Sequence, residues 1–517
     1  MKKSFVHGAL VLMAAATVNR VIGFIYQAAI YRLIGPEGVG LYNLVYPIYI
    51  LIIVLTTAGI PLGISKLVSE AEVGGNRRLS YQVLWLSLLI LIVSGGFFTI
   101  ISYLASPLLL KHVFVNKMVY PVFRCLLPGI FIVSVSSAFR GFFQGLMDMK
   151  PPAVSQVIEQ VIRVFFGISL AVYLLPRGIQ WAAAGIAGAG VIGEFFGLAV
   201  LINSFVRRKP LSIVLSLPGI TVSYNILRKL FKMCTPITLG RIAATLMLSI
   251  DSMLIPYVLR EAGHSTSAAT AIYGQLTGVA LTLLSVPSVI TVSLATSLVP
   301  AISEAVAQNR SYVVSSRTSE AIRVTLLAAV PFVSAFMILP DAITQAIFGS
   351  PEAGHLLAIL AFGGLFAYLQ QTTTGVLQGL GYPVIPLINM FFAGFIKTLG
   401  IYTVSSRPSL GITAIAYCFD IFFILAAGLN ILSLYRKTGC HINIKNDVFK
   451  PVTAGLLTAM IYSGLYKSLH QALGLNFLSV TVSLGCGFVF YIFAVALMGS
   501  LKKNDLRKLP YINRLIR

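Results

Sequence analysis

Charge is what this 517-residue chain lacks most. Asp, Glu, Lys and Arg together make up 10% of it, where soluble domains carry about 25%, and that scarcity excludes an ordinary soluble enzyme. Acid is rarer than base, with 15 Asp and Glu against 38 Lys and Arg. The five cysteines (Cys125, Cys234, Cys418, Cys440 and Cys486) are scattered without a CxxC pair, so no disulfide framework is spelled out. Enzyme signatures are missing too: HExxH, Walker A, GxSxG and a GxGxxG in a strand–helix setting do not occur. His7, His112, His264, His355, His441 and His470 fall at the ends of apolar segments or between them, without metal-ligand spacing. A bilayer-embedded glycosyltransferase or polymerase would need outer loops presenting carboxylates, and only Glu37, Glu261, Asp341 and Glu352 are placed there. We therefore expect no enzyme, no metal and no cofactor.

What the chain has instead is apolar residues, 57% of the total. Uninterrupted apolar runs exclude a transmembrane β-barrel, whose strands alternate, and predict an all-α integral membrane protein. Fourteen spans are expected, near 9–34, 41–69, 82–106, 118–146, 153–175, 180–206, 234–258, 268–303, 321–340, 355–379, 384–404, 410–435, 451–469 and 476–499. The first follows Lys2 and Lys3 and contains Ala14-Ala15-Ala16, which imitates a signal peptide. It runs on through Arg20 to Ile34 and is read as a retained helix.

With the N-terminus inside, cytoplasmic segments hold 24 basic residues and outer loops hold 7, the other seven lying within spans. That bias predicts a multi-pass cell-membrane protein with both termini cytoplasmic. The net charge of +23 is then a topological signal, with attraction to anionic membrane lipids as a secondary effect and no nucleic-acid partner. Residues 222–233 put Val222, Ile226, Leu227, Leu230 and Phe231 on one helical face opposite Arg228, Lys229 and Lys232, as an interfacial helix or a basic linker would.

The chain also repeats itself. Gly141-Phe-Phe-Gln144-Gly145 recurs as Gly375-Val-Leu-Gln378-Gly379, offset by 234, and Ser69-Glu70-Ala71 recurs as Ser303-Glu304-Ala305 at the same offset. Arg163 falls on Lys397, Glu194 on Asp420 at offset 226, and Arg20 on Arg241 at 221. The expected organisation is an N-lobe at 1–206 (spans 1–6), a basic amphipathic linker at 207–233 and a C-lobe at 234–435 (spans 7–12). Spans 13–14 at 436–499 and a basic cytoplasmic tail at 500–517 follow. Six spans return the chain to its starting side, so the lobes should be related by an axis along the membrane normal, as in alternating-access transporters.

Charges deep in the spans are the candidate functional groups, because each costs roughly 2.5–3.5 kcal/mol to insert. Arg20 lies near the midplane. Glu159 and Arg163 form an i,i+4 pair on a stripe with Gln156, open to reading as an ion pair or as a cavity lining. Arg241 and Asp251, ten apart on span 7, should share a face within about 80°. Glu194 and Asp420 line half-cavities or hold helix–helix contacts, and Lys397 completes the set. Lys66, Arg124 and Arg140 sit near enough to span ends to snorkel. The basic excess in the deep set points to an anionic ligand.

Several segments carry a family resemblance: Asn19-Arg20-Val-Ile-Gly23, Gly35-Pro-Glu-Gly38-Val-Gly40-Leu-Tyr42, Arg140-Gly-Phe-Phe-Gln144-Gly145, Glu159-Gln160-Val-Ile-Arg163 and Leu298-Val-Pro300-Ala-Ile-Ser-Glu304. With these the chain resembles the polysaccharide-transporter branch of the multidrug/oligosaccharidyl-lipid/polysaccharide (MOP) exporter superfamily over nearly its whole length. The resemblance implies two six-helix lobes plus two C-terminal helices. It implies a flippase for an undecaprenyl-linked anionic oligosaccharide in peptidoglycan or spore-cortex synthesis, coupled to Na+, H+ or the membrane potential. In the related lipid II flippases basic cavity residues hold the pyrophosphate. Arg20 matches the arginine of their Ser-Arg-x-x-Gly motif, while a second first-helix arginine and its acid are replaced by Tyr26 and Gln27. Asp251 matches an acidic position of helix 7, and the last two spans match a pair that holds the polyprenyl tail. A MATE-type cation-coupled drug exporter and a non-transporting scaffold for cell-wall synthesis are the alternatives.

Overall fold

The computed structural model describes residues 5–207, 220–404, 411–439, 444–474 and 476–499. The basic tail at 500–517 and part of the expected linker, 208–219, lie outside the described residues. Among the described residues there are helices and no strands, as expected where every buried backbone group must be satisfied within its own segment.

The chain forms two compact units, Met1–Gly278 and Val279–Arg517. The first holds α1 (Phe5–Thr57), α2 (Ile60–Val73), α3 (Arg77–His112), α4 (Val119–Gly145), α5 (Lys150–Leu174), α6 (Ile179–Val206), α7 (Ile220–Glu261) and α8 (Thr266–Gln275). The second holds α9 (Leu281–Ala307), α10 (Ser311–Ile338), α11 (Pro340–Phe348), α12 (Gly354–Gly379), α13 (Val384–Val404), α14 (Gly411–Thr438), α15 (Lys450–Leu473) and α16 (Asn476–Leu497). The first unit thus keeps α7 and α8, the start of the second sequence repeat. The division falls inside a π-helical turn, Leu276–Ala280, that joins α8 to α9.

Thirteen helical segments among the described residues are long and apolar enough to cross a membrane. The first of them, Val11–Val73, has 63 residues and would measure about 95 Å if straight, three times the roughly 30 Å hydrocarbon core. Gly35 interrupts it with φ 68° and ψ −178°, a conformation open to glycine and not to side-chain-bearing residues. That break falls between the first two expected spans, 9–34 and 41–69.

In the first unit Ile64, Val68, Leu84, Leu91, Phe142, Phe143 and Leu201 are fully buried where α2, α3, α4 and α6 meet. The described part of 222–233 is the beginning of α7, and its Ile226 and Leu230 are buried in this same core. A side chain at Gly63 would strike Leu230, so the apolar face predicted there packs on α2. In the second unit Leu298, Ile302, Val376 and Leu377 join α9 to α12. Val330, Ala454, Tyr491 and Val495 attach α15 and α16 to α10.

Glycine contacts 234 residues apart recur in the two units. A Cβ on Gly141 would overlap the backbone around Pro61, and one on Gly375 would overlap it around Ala295. Gly145 lies against Ser65 and Val68, and Gly379 lies against Val299 and Ile302. Every residue of the second set stands 234 after its counterpart. Lipid tails offer helices no hydrophobic drive to associate, so small residues that let backbones approach hold such bundles together.

Candidate functional site

Four charges of the first unit, Arg140, Glu159, Arg163 and Glu194, form one network. Arg140 of α4 donates from Nη2 to Glu159 Oε2 at 2.7 Å, and Arg163, one turn further along α5, donates from Nη2 to Glu159 Oε1 at 2.7 Å. Arg163 Nη2 also lies 4.0 Å from Glu194 Oε1 on α6. The hydroxyl of Tyr49, from α1, donates to both oxygens of Glu194 at 3.2 and 3.1 Å. These side chains are 13–25% exposed where pairs are formed. Two arginines and two glutamates neutralise one another here, which is the condition for holding charge in a low-dielectric interior. Small residues make room for it. A side chain on Gly193 would overlap the Glu159 carbonyl, and one on Gly129 would overlap the Tyr49 hydroxyl and come within 2.8 Å of Glu194.

Arg140 therefore does not snorkel as expected. Glu159 captures it, because a partly buried carboxylate 2.7 Å away is a stronger partner than a distant interface. Arg124 does not snorkel freely either. Its guanidinium stacks over Tyr103 and Tyr120, 4.7 and 4.4 Å from the ring centroids, a cation–π arrangement.

Arg20 stands apart from the network. It is exposed on α1 and makes no ion pair or side-chain hydrogen bond among the described residues. Arg241 is likewise exposed on α7, and among the described residues its guanidinium has no recorded partner. Helices α1 and α7 pack against each other. Asp251, about 80° from Arg241 around α7, is buried, with 5% of its surface exposed. The ten-residue interval turns the acid towards protein and leaves the arginine open.

In the second unit Lys397 and Asp420 are both buried. The Lys397 ammonium sits over Phe419 and Phe422, 4.6 and 5.2 Å from the ring centroids. A Cβ on Gly363 would overlap the Asp420 carboxylate. Gly363 stands 234 after Gly129, so the same glycine–carboxylate contact occurs in both units. Glu194 and Asp420 accordingly occupy helix–helix contacts, one of the two roles the sequence left open.

Comparison with known proteins agrees with this architecture. A family model described as polysaccharide biosynthesis protein matches residues 5–306. Stage V sporulation protein B of Bacillus subtilis (strain 168) is 33% identical over 520 residues, covering 100% of this chain and 99% of that protein. The chain belongs to the polysaccharide biosynthesis protein family. Lipid II flippase MurJ of the same organism is 23% identical over 541 residues, covering 99% of this chain and 98% of that one. The solved structure of lipid II flippase MurJ in an inward closed conformation superposes with a TM-score of 0.71 at 14% identity, covering 98% of this chain and 100% of that chain. This member of the family is a multi-pass membrane protein.

Sequence reasoning on this family member missed Arg140 and Tyr49 as parts of the charged network. Arg140 lies in a quoted family segment, but its partner is 19 positions away across a turn. Tyr49 belongs to an i, i+4, i+7 stripe with Tyr42 and Tyr46, whose rings contact in sequence at centroid distances of 5.4 and 6.2 Å. That spacing was a legible signal of one helical face.

Proposed function

We propose that the chain is a flippase that carries an undecaprenyl-linked saccharide precursor outward by alternating access, with both termini cytoplasmic and repeats at 1–206 and 234–435. The observation that carries this reading is the contrast among the deep charges. Arg140, Glu159, Arg163 and Glu194 neutralise one another, while Arg20 and Arg241 stay exposed on two helices that pack together. An exposed guanidinium within an apolar helix requires water or an anionic ligand. Its planar donors suit a diphosphate, to which they bond in pairs. Arg20 is then the main anchor and Arg241 its mate, while Glu159, Arg163, Glu194 and Asp251 brace the helices of the first unit and Lys397 and Asp420 those of the second.

Kinship to a lipid II flippase and to a sporulation protein supports a peptidoglycan precursor for the spore cortex as the cargo. The test is a reconstituted flipping assay comparing lipid II with other undecaprenyl-linked sugars. A rate above that of protein-free vesicles is expected for at least one of them, and rates equal to the control for all would refute the reading. Imposing Na+, H+ and electrical gradients one at a time in the same assay identifies the coupling.

A further inference from the structure

The second unit contains an open recess of about 310 Å³ between α9 and α12, mostly apolar in its exposed surface but carrying several carboxamide and hydroxyl groups. Gln370, Gln371, Thr374 and Gln378 line it from α12, with Thr296 and Val299 across on α9. No charged or aromatic side chain lines it among the described residues. Its size sits at the low end of the roughly 300–1,000 Å³ of small-molecule pockets.

The hydrogen-bonding state of these groups is uneven. Gln371 Oε1 accepts from the Thr291 hydroxyl at 2.6 Å, which fixes its carboxamide and leaves its two N–H donors uncommitted among the described residues. Thr374 donates to the Gln370 carbonyl at 2.7 Å and accepts from Asn430 Nδ2 at 3.1 Å, so it forms a satisfied wall. Thr296 donates to the Ser293 carbonyl at 2.9 Å and turns lone pairs outward. The carboxamides of Gln370 and Gln378 make no hydrogen bond among the described residues. Each offers two donors and an acceptor; Gln370 is half-buried, and Gln378 is exposed in the last turn of α12.

The repeat sharpens the meaning of this recess. Positions 234 earlier are Ser136, Ser137, Arg140 and Gln144. Arg140 and its partner Glu159 correspond to Thr374 and Ala393, so the second unit lacks both members of the ion pair and carries two glutamines, Gln370 and Gln371, where the first has serines. A diphosphate would find no cation here, and an organic cation would find no carboxylate or ring. A peptide stem, with its ammonium and carboxylates, would find no counter-charge.

We infer that this recess is the saccharide subsite, taking the neutral hydroxyl and acetamido groups of the cargo while arginines elsewhere take its phosphates. This assignment rests on the flippase reading for the identity of the cargo, though its binding test does not. The full-length protein in detergent is examined by saturation-transfer NMR with N,N′-diacetylchitobiose, with inorganic pyrophosphate and acetyl-Ala-Ala-amide as comparison probes. Saturation of the disaccharide is expected. It should fall about tenfold in Gln370→Leu/Gln378→Leu, as losing several hydrogen bonds implies, at an unchanged melting temperature.

A disaccharide signal that is absent, or unchanged in the double variant, overturns the assignment, as does an equal signal from the dipeptide. Flipping of the lipid-linked sugar at the wild-type rate by the double variant also overturns it while leaving the flippase reading intact. Wild-type protein that binds the disaccharide through these glutamines but flips no lipid would sustain the subsite and sink the flippase reading.

Discussion

Asn43 and Thr277 occupy equivalent positions of the two repeats, 234 apart, and they bond to each other: Asn43 Nδ2 donates to Thr277 Oγ1 at 2.8 Å. Around them the contact is reciprocal. Gly40 of α1 lies against the Thr270 carbonyl of α8, and Gly274 of α8 lies against the Pro36 carbonyl of α1. Thr270 and Gly274 are again 234 after Pro36 and Gly40. A self-complementary patch of this kind is the mark of a local two-fold relation between the paired helices.

That relation makes a swap test possible. Asn43→Leu should lower the melting temperature of the detergent-purified protein, by an amount matching the roughly 0.6–2 kcal/mol of an interhelical hydrogen bond in membranes. The exchanged double variant Asn43→Thr/Thr277→Asn should melt close to wild type, because the donor and acceptor merely trade places. Gly40→Leu and Gly274→Leu should each be far more damaging, since the new side chain meets a carbonyl of the neighbouring backbone. Equal melting of all these proteins would show that the contact contributes nothing.

The repeats also suggest how the charged network could be removed. Glu159→Ala leaves Arg140 and Arg163 facing each other without their shared acid. Breaking a buried pair from one side costs on the order of 3–5 kcal/mol, somewhat less at these partly exposed positions. Adding Arg140→Thr recreates the Thr374/Ala393 combination of the second unit and leaves Arg163 with Glu194. The double variant should therefore be recovered in folded form at higher yield than Glu159→Ala alone, as read by size-exclusion chromatography. A lower yield would mean that Arg140 has a further role.

For Arg20 the expectation is the reverse: little effect on folding and a large one on transport. Arg20→Ala should reach wild-type abundance and lose flipping, and Arg20→Lys should retain part of it because an ammonium binds phosphate as a point charge. Arg241→Ala should behave like Arg20→Ala. Normal transport by Arg20→Ala at wild-type abundance would place the anchor elsewhere.

Topology is open to direct labelling. Reporter fusions at Gln308 and after the C-terminal tail should read as cytoplasmic, and one near Glu352 should read as outside. Reversal at any two of these sites would invert the orientation drawn from the basic residues.

The all-α membrane-spanning class and the approximate limits of most spans were legible in the sequence alone. Both follow from local properties: apolar runs of about twenty residues and the charged stretches that separate them. The residue types able to carry charge into the bilayer were legible for the same reason, since an arginine such as Arg20 is conspicuous among leucines. Only the tertiary structure decided which charges are already neutralised. Arg140 meets Glu159 across a turn, Tyr49 reaches Glu194 over 145 positions, and Asp251 is buried while Arg241 is not. Sequence spacing fixes the angle between residues on one helix, but the partner of a buried charge is chosen by which other helix packs there, and that depends on glycine contacts made far along the chain.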